Sequence, residues 1–224
     1  MGSIVIFGLG RGANLATRYF RNDSQHEIVA YTVDDSCADR QEFMGRPVIP
    51  FSRIEKEIPP EESEMFILLG FQEMNSLRAA KFAEAKRKGY SLANYISSKI
   101  LASENLKTGE NCFILEGNVF NHDVTIGDNV VMWSSNHVGD LSVIEDNVFV
   151  SSHVVLSGDV TIGANSFLGV NATVSNYVRV GARCYVGANS LVTHDTPPDS
   201  VYIAKPTPKL ENIDSLRFLQ VIKS

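Results

Sequence analysis

Cysteine is scarce in this chain of 224 residues, and the three present, Cys37, Cys112 and Cys184, lie far apart and never form a CxxC pair. That pattern supports neither a disulfide framework nor a cysteine zinc site, so ordinary reduced thiols are expected. Positive charge is also short: 20 Lys and Arg against 26 Asp and Glu give a formal net charge of -6. The one dense cationic stretch, "KRKG" at Lys86 to Gly89, reads as the end of a solvated helix. A chain with that balance has no field for gripping a phosphate backbone, and nucleic acid is not an expected partner. Long apolar runs are missing too, and "MGSIVIFGLG" at the start lacks the cationic, apolar and small-residue order of a signal peptide. A cytoplasmic protein with no membrane partner is the expectation. A hydrophobic content of 44% with 21% charged residues is that of a soluble globular chain, long enough for one sizeable domain or two small ones.

Two halves differ in period. Over residues 1–100 short apolar runs alternate with helical patterns. "SIVIFG" (Ser3 to Gly8), "IVAYTV" (Ile28 to Val33) and "MFILLG" (Met65 to Gly70) have the continuous hydrophobicity of strands buried on both faces of a parallel sheet. "ANLATRYFRN" and "MNSLRAAKFAEAKRKG" lie between and after them. In the second, Leu77, Ala80 and Phe82 to Ala85 suggest one apolar face before Gly89 stops the helix. The spacing predicts a small βαβ domain.

From Thr108 the chain runs in sixes. Thr108, Ile114, Phe120, Ile126, Met132, Val138, Ile144, Val150, Leu156, Ile162, Leu168, Val174, Val180, Val186 and Val192 share one slot, so that 14 of 15 are apolar without an insertion. The next slot is Gly at 109, 127, 139, 163, 169, 181 and 187, and the fifth slot holds small or β-branched residues such as Val124, Val148, Ala172 and Cys184. This is the hexapeptide signature of a parallel β-helix, three hexads to a triangular coil, with about five coils over residues 101–209. Gly, Asn and Asp are expected to turn the corners, where the backbone angles are unusual. A helical tail over residues 210–224 would close the chain.

The halves together resemble a family of bacterial sugar acyltransferases that includes the sialic acid O-acetyltransferases and the N-acetyltransferases of bacillosamine and perosamine synthesis. The resemblance rests on "VIFGLGRG" at Val5 to Gly12, "VDD" at Val33 to Asp35, "FILLGFQEMNSLR" at Phe66 to Arg78, the hexads, and "AKPTPK" at Ala204 to Lys209. It implies an α/β N-terminal domain followed by a left-handed β-helix, a homotrimer, acetyl-CoA bound in the groove between neighbouring prisms, and a nucleotide-linked sugar on the N-terminal domain. Gly8, Gly10 and Gly12 would then line the nucleotide phosphates, and Asp34 or Asp35 would meet the base or ribose. The residues support this independently: a Gly-rich turn between strand and helix lets backbone N–H groups approach a diphosphate, and an acidic residue about twenty positions on can accept hydroxyl hydrogens.

The family's general base is a histidine in the third slot of a hexad, and here that slot holds Asp140. Three substitutes are open. His137 points outward by alternation from Val138 and could sit beside Asp140, where a carboxylate would raise the basicity of the imidazole. His122 occupies a third slot followed by Asp123, one coil away, roughly 4.8 Å by strand spacing. Asp140 alone, or no protein base, could suffice for an amine that loses its proton to water. His153, Gly158, Gly169 and Lys209 are placed along the acetyl-CoA path, and Trp133 at a corner is expected to make a subunit contact ahead of stacking on substrate. His122, His137 and His153 are 15 and 16 residues apart, out of step with the 18-residue coil, so no metal is expected. His26 and His194 read as surface.

The resulting expectation is an acetyl-CoA-dependent enzyme that N-acetylates a nucleotide-linked 4-amino-4,6-dideoxy sugar for a bacterial surface glycan such as O-antigen. O-acetylation of a sugar such as sialic acid, and a β-helix that only binds or assembles, are the alternatives.

Overall fold

The computed structural model describes residues 2–211 and 213–222. Its N-terminal part is a five-stranded sheet in the order β3-β4-β2-β1-β5, built from β1 (Ser3–Phe7), β2 (Glu27–Val33), β3 (Glu42–Phe43), β4 (Arg46–Pro50) and β5 (Glu64–Ile67). All neighbours are parallel except β3 and β4, which form a hairpin. Helices α1 (Arg11–Asp23), α2 (Ile54–Glu57) and α3 (Ser76–Arg87) connect them. The apolar runs of β1 and β5 are buried throughout apart from their first residues, as strands covered on both faces must be.

Helix α3 turns only part of its expected apolar face inward: Ala85 is buried and Phe82 packs against the core, but Leu77 and Ala80 are not covered. Leu77 is 43% exposed and Ala80 is exposed, whereas Arg78 and Ala85 are fully buried. The reason is tertiary: Arg78 finds its hydrogen-bond acceptors on the second half of the molecule, and the helix rotates to deliver it.

That second half is the expected parallel β-helix. Two-residue strands stack every 18 residues into three sheets of seven, six and five rungs. The first face holds Tyr95–Ile96, Phe113–Ile114, Val131–Met132, Phe149–Val150 and their successors; the second holds Val119–Phe120, His137–Val138 and Val155–Leu156; the third holds Thr125–Ile126, Val143–Ile144 and Thr161–Ile162. From Ile114 to Val192 the second residue of each pair points into the prism and is buried, which is why one slot in six must be apolar; at the first and last rungs Ala102, Thr108 and Tyr202 are less covered. The coil begins at Tyr95, which already pairs with Phe113. The tail forms a helix, α4 (Ser215–Ile222); residues 212, 223 and 224 lie outside the described ones. Among the described residues no helix is long and apolar enough to cross a membrane.

The glycines that follow the inward slot do not turn the corners. None of them has a positive φ; the left-handed positions are held instead by residues such as Asn129 (φ 58°), Asn147 (62°), Asp159 (56°) and Asn171 (57°). The glycines are required by close approach: a Cβ on Gly163 would lie 2.5 Å from the Ala182 nitrogen one coil on, and one on Gly139 would lie 2.6 Å from that of Gly158. Side chains are excluded there by the stacking distance, not by backbone angle.

The outward residues of the three faces differ, and this decides how the halves meet. On the first face they are mostly aromatic, and the N-terminal domain covers most of them: Phe71 packs on Phe149 and Phe167, and Tyr19 on Tyr95 and Phe113. Polar contacts add direction. The Asn111 amide pairs with both the N–H and the C=O of Ile67, and continues a ladder through Asn129 to Asn147. Asp23 at the end of α1 accepts from Ser98 N, Ser97 Oγ and Tyr95 Oη at 2.9–3.0 Å.

These bonds, from Ser98 foremost and then Ser97 and Tyr95, hold the Asp23 carboxyl down at about 2. A carboxyl lowered in the fold stabilises it above its ordinary value and stops doing so as the pH falls through the folded value. Asp23→Asn is therefore expected to melt below the parent at pH 7 and to converge with it as the pH drops from about 4 to 2. Thermal melts across that range check it, and a constant gap would refute the assignment.

Candidate functional site

Strand β1 has β2 on one side and β5 on the other, so the chain reverses direction across the sheet at β1. Such a switch point opens a crevice at the carboxyl ends of the strands. Here that crevice is a cleft of about 650 Å³ between the turn after β1, the segment after β5, and the first face of the β-helix. Gly8, Gly10, Leu68, Phe71, Val131 and Trp133 are among its walls.

The turn is shaped by glycine at two positions for different reasons. Gly8 has φ +105°, a left-handed value disfavoured for side chains. Gly12, in the first turn of α1, lies so close to the Leu68 carbonyl that an added Cβ would overlap its oxygen. Gly10 precedes α1 without a side-chain cap, and the space beside its Cα is open. The first N–H groups of α1 have no intrahelical partners, and the first turn carries no acidic residue, an arrangement that favours an anion. Gly12→Ala is expected to deform the turn and lose nucleotide-sugar binding. Gly10→Ala, which strains nothing, should raise KM for the sugar substrate severalfold with KM for acetyl-CoA unchanged. Initial-rate kinetics with each substrate varied decide this, and a Gly10→Ala enzyme with equal changes in both constants would argue against a phosphate seat.

Asp34 and Asp35 follow β2 but do not line this cleft. Asp34 is paired with Lys81, which also meets Glu84 at 2.9 Å. Asp35 accepts from Ser52 Oγ (2.6 Å) and Ser52 N (3.2 Å), and these bonds hold its carboxyl below the usual range. Both carboxylates are thus already engaged by protein donors.

The cleft also contains residues that sequence reasoning missed. Phe71 and Gln72 project from the segment after β5, and Glu73, Met74 and Asn75 follow it with φ of 52°, 50° and 66°. Three consecutive left-handed residues are costly for side-chain-bearing positions. They are held by Asn75 Nδ2, which donates to the Asn165 and Ser166 carbonyls, and by Arg78, which reaches Gly70 O and Asn75 Oδ1. The sequence signals were that "FQEMN" follows a buried parallel strand, where ligand loops lie, and that it falls within the "FILLGFQEMNSLR" motif of the family resemblance. Trp133, 37% exposed, forms part of the cleft wall.

Of the three candidate histidines, His122 and His153 fall on two different edges of the prism and His137 on a face. His137 is exposed on the second face, its strand flanked by Val119 and Val155. Its ring makes no hydrogen bond or ion pair with Asp140. The Asp140 carboxylate accepts instead from the backbone N–H of His122, one coil below, at 3.2 Å. His122, Asp140, Gly158 and Asn176 form a column along the edge between the second and third faces, with Asn176 Oδ1 accepting from Gly158 N at 2.9 Å just as Asp140 does from His122. His153 (φ 59°) and Gly169 lie on the edge between the first and second faces, and Lys209 lies in the exposed segment beyond the last rung. One chain therefore brings His137, His122, Asp140 and Gly158 to neighbouring positions and keeps His153 and Gly169 apart from that edge. Among the described residues no cluster of His, Cys, Asp and Glu could hold a metal ion.

Residues 142–176 match the family model described as bacterial transferase hexapeptide (six repeats). No curated protein matches the chain. Among solved structures it is similar to PerB from Caulobacter crescentus in complex with CoA and GDP-perosamine, with 26% identity, a TM-score of 0.77, and coverage of 90% of this chain and 93% of that one. A single-residue variant of perosamine N-acetyltransferase from the same organism, also with CoA and GDP-perosamine, gives a TM-score of 0.78 at 24% identity over 92% of this chain and 98% of that one. The acetyltransferase domain of PglB from Neisseria gonorrhoeae shares the fold at 19% identity and a TM-score of 0.75, over 90% and 96% of the two chains.

Proposed function

We propose that this chain, which carries the bacterial transferase hexapeptide repeat on a left-handed β-helix behind a βαβ domain, is an acetyl-CoA-dependent N-acetyltransferase acting on a nucleotide-linked 4-amino-4,6-dideoxy sugar. The observation that carries the reading is the cleft: an anion-binding turn opens directly onto a wall of Leu68, Leu69, Phe71, Leu77 and Trp133, with Gln72 the one uncharged polar side chain among its residues. A diphosphate suits the turn. A sugar bearing a methyl in place of a hydroxyl suits the apolar wall, because a fully hydroxylated ring would leave polar groups unpaired there. The likeness to PerB, which was crystallised with CoA and GDP-perosamine, supports both halves of the assignment.

In the reaction the sugar amine attacks the thioester carbonyl of acetyl-CoA, a tetrahedral oxyanion forms, the C–S bond breaks, and CoA leaves as the thiolate. A backbone N–H in the groove stabilises the oxyanion. His137 takes the proton that the amine gives up. Gly158, Gly169, His153 and Lys209 belong to the acetyl-CoA path, and the use of this cosubstrate places the reaction in the cytoplasm.

The groove for acetyl-CoA requires neighbouring prisms, and a homotrimer is part of the proposal. Its support is the second face and the edge after it, which expose Leu101 (69%), Leu191 (64%), Leu141 (59%) and Tyr177 (77%). Leu141 and Tyr177 occupy left-handed corner positions where polar Asn or Asp normally sits, so apolar side chains are kept there at a backbone cost. Light scattering should report three copies, and Leu191→Asp should give a monomer that has lost transferase activity. A fully active monomer would remove the intersubunit site.

The assignment as a whole is tested with a panel of nucleotide amino sugars and acetyl-CoA, reading free thiol release and product mass. An amide product, stable to mild base, is expected. An ester would move the chain to O-acetylation, and no turnover with any member would leave a binding or assembly protein.

A further inference from the structure

The glycine turn is a ridge between two hollows. Beside the cleft that faces the β-helix there is an outer cavity of about 540 Å³ between α1 and the β3–β4 hairpin. Gly10, Arg11 and Leu15 line both, so the outer cavity is continuous with the turn assigned to the diphosphate. It differs from the inner one in its polar groups: Arg11, Arg18 and Asn14 supply them, while Leu9, Leu15 and Phe43 form the apolar surface. A nucleoside diphosphate sugar has three parts in line, and the ridge with a hollow on either side accommodates them in that order.

The polar groups of the outer cavity have one sign of hydrogen bonding. Arg18 Nε donates to Asn14 Oδ1 at 3.0 Å, which turns the one side-chain acceptor among the lining residues toward Arg18. What remains is the Asn14 NH2 group and the terminal N–H groups of Arg11 and Arg18, none of which has a protein partner among the described residues. All of these are donors, and a guanidinium cannot become an acceptor. Phe43 is half-buried, steadied by an edge-to-face contact with Tyr31 (4.9 Å), and presents a ring against which a base can lie.

We infer that the outer cavity is the nucleobase seat and that Asn14 and Arg18 select a base with a keto edge, so that the sugar is carried on a uridine, thymidine or guanosine diphosphate and not on a cytidine or adenosine one. The inference rests on the nucleotide-sugar reading above. Uracil and thymine present O4, and guanine presents O6 and N7, to a donor; at the matching positions cytosine and adenine present an amino group, which would face another donor. Phe43 contributes to all bases alike, because every base has a π-face. The diphosphate then lies at Gly10 and Arg11, and the sugar reaches inward to Trp133.

The test is calorimetric titration of free nucleoside diphosphates in two size-matched pairs, UDP against CDP and GDP against ADP, with CoA saturating so that ADP cannot occupy the CoA groove. In at least one pair the keto member should bind about tenfold tighter, the effect of one base-edge hydrogen bond gained by the keto base and lost by the amino one, and in neither pair should the amino member win. Asn14→Asp keeps an acceptor for Arg18 Nε and replaces the free NH2 by a carboxylate. It should weaken binding generally and shrink the tenfold ratio to about twofold or less. Phe43→Ala should weaken every nucleotide while leaving the ratio intact. Equal affinities within both pairs, a preferred amino member, or a ratio untouched by Asn14→Asp would overturn the base seat while the nucleotide-sugar reading stands. A protein that binds CoA but none of the diphosphates would overturn that reading itself, and the seat with it.

Discussion

Replacing His137 by Asn is expected to lower kcat by about 10²–10⁴-fold, the range of general-base catalysis, with little change in either KM. The side chain is exposed on the second face and makes no hydrogen bond with the rest of the chain, so the substitution removes a proton acceptor without disturbing a packed residue. Raising the pH should recover part of the rate, because the substrate amine then loses its proton to solvent before attack. Asp140→Asn is expected to change kcat only a fewfold. The carboxylate is held as acceptor for the His122 N–H, and Asn176 shows in the next coils but one that an amide oxygen fills that role. Rates of the two variants against pH, with His122→Asn beside them, separate the candidates. A His137 variant with parental rates and an inactive His122 variant would put the base one coil lower, at the "HD" of His122 and Asp123.

Arg78→Ala should cost about 3–5 kcal/mol of stability, among the larger effects a single substitution produces. Arg78 is fully buried, and its fork spans both halves of the molecule, donating to Asn129 O (3.2 Å), Asn147 O (2.9 Å), Gly70 O (3.3 Å) and Asn75 Oδ1 (3.1 Å). Among the described residues no carboxylate pairs with it; burial pulls its pKa down to about 9, which leaves it cationic at neutral pH. Truncation orphans several buried acceptors at about 1–3 kcal/mol each, offset in part by the relief of burying a charge. At roughly 2–4 °C per kcal/mol for a chain of this size, the melting temperature should fall by roughly 6–20 °C. Arg78→Lys should fall between, since one ammonium cannot reach carbonyls on successive coils and on the Gly70 segment together. Because the same residue clamps the left-handed run Glu73–Asn75 beside Phe71 and Gln72, the Lys variant should also raise KM for the sugar substrate more than for acetyl-CoA. Calorimetric melts and two-substrate kinetics read both effects; a Lys variant with parental kinetics would limit Arg78 to holding the domains together.

The β-helix was legible because its determinants are local and repeated. Each inward Ile, Val or Leu is dictated by its own hexad, and the repetition makes a weak signal certain. The βαβ order and the glycine turn were legible for a similar reason, since apolar strands and a Gly between strand and helix are short-range patterns. The same locality misassigned the role of Gly127 and Gly163, because a close approach to a backbone one coil away leaves no mark in the neighbouring residues. The tertiary structure alone decided the rest. Whether Leu77 or Arg78 is buried depends on carbonyls more than fifty residues distant, at Asn129 and Asn147. Whether Asp140 serves His137 or the His122 backbone depends on which edge of the prism each side chain leaves, and Trp133 enters the cleft because an aromatic first face draws the N-terminal domain over it. Sequence period determines which residues enter the prism, whereas partners separated by a whole coil or a whole domain are determined only when the stacked surfaces meet and every buried polar group must find an acceptor.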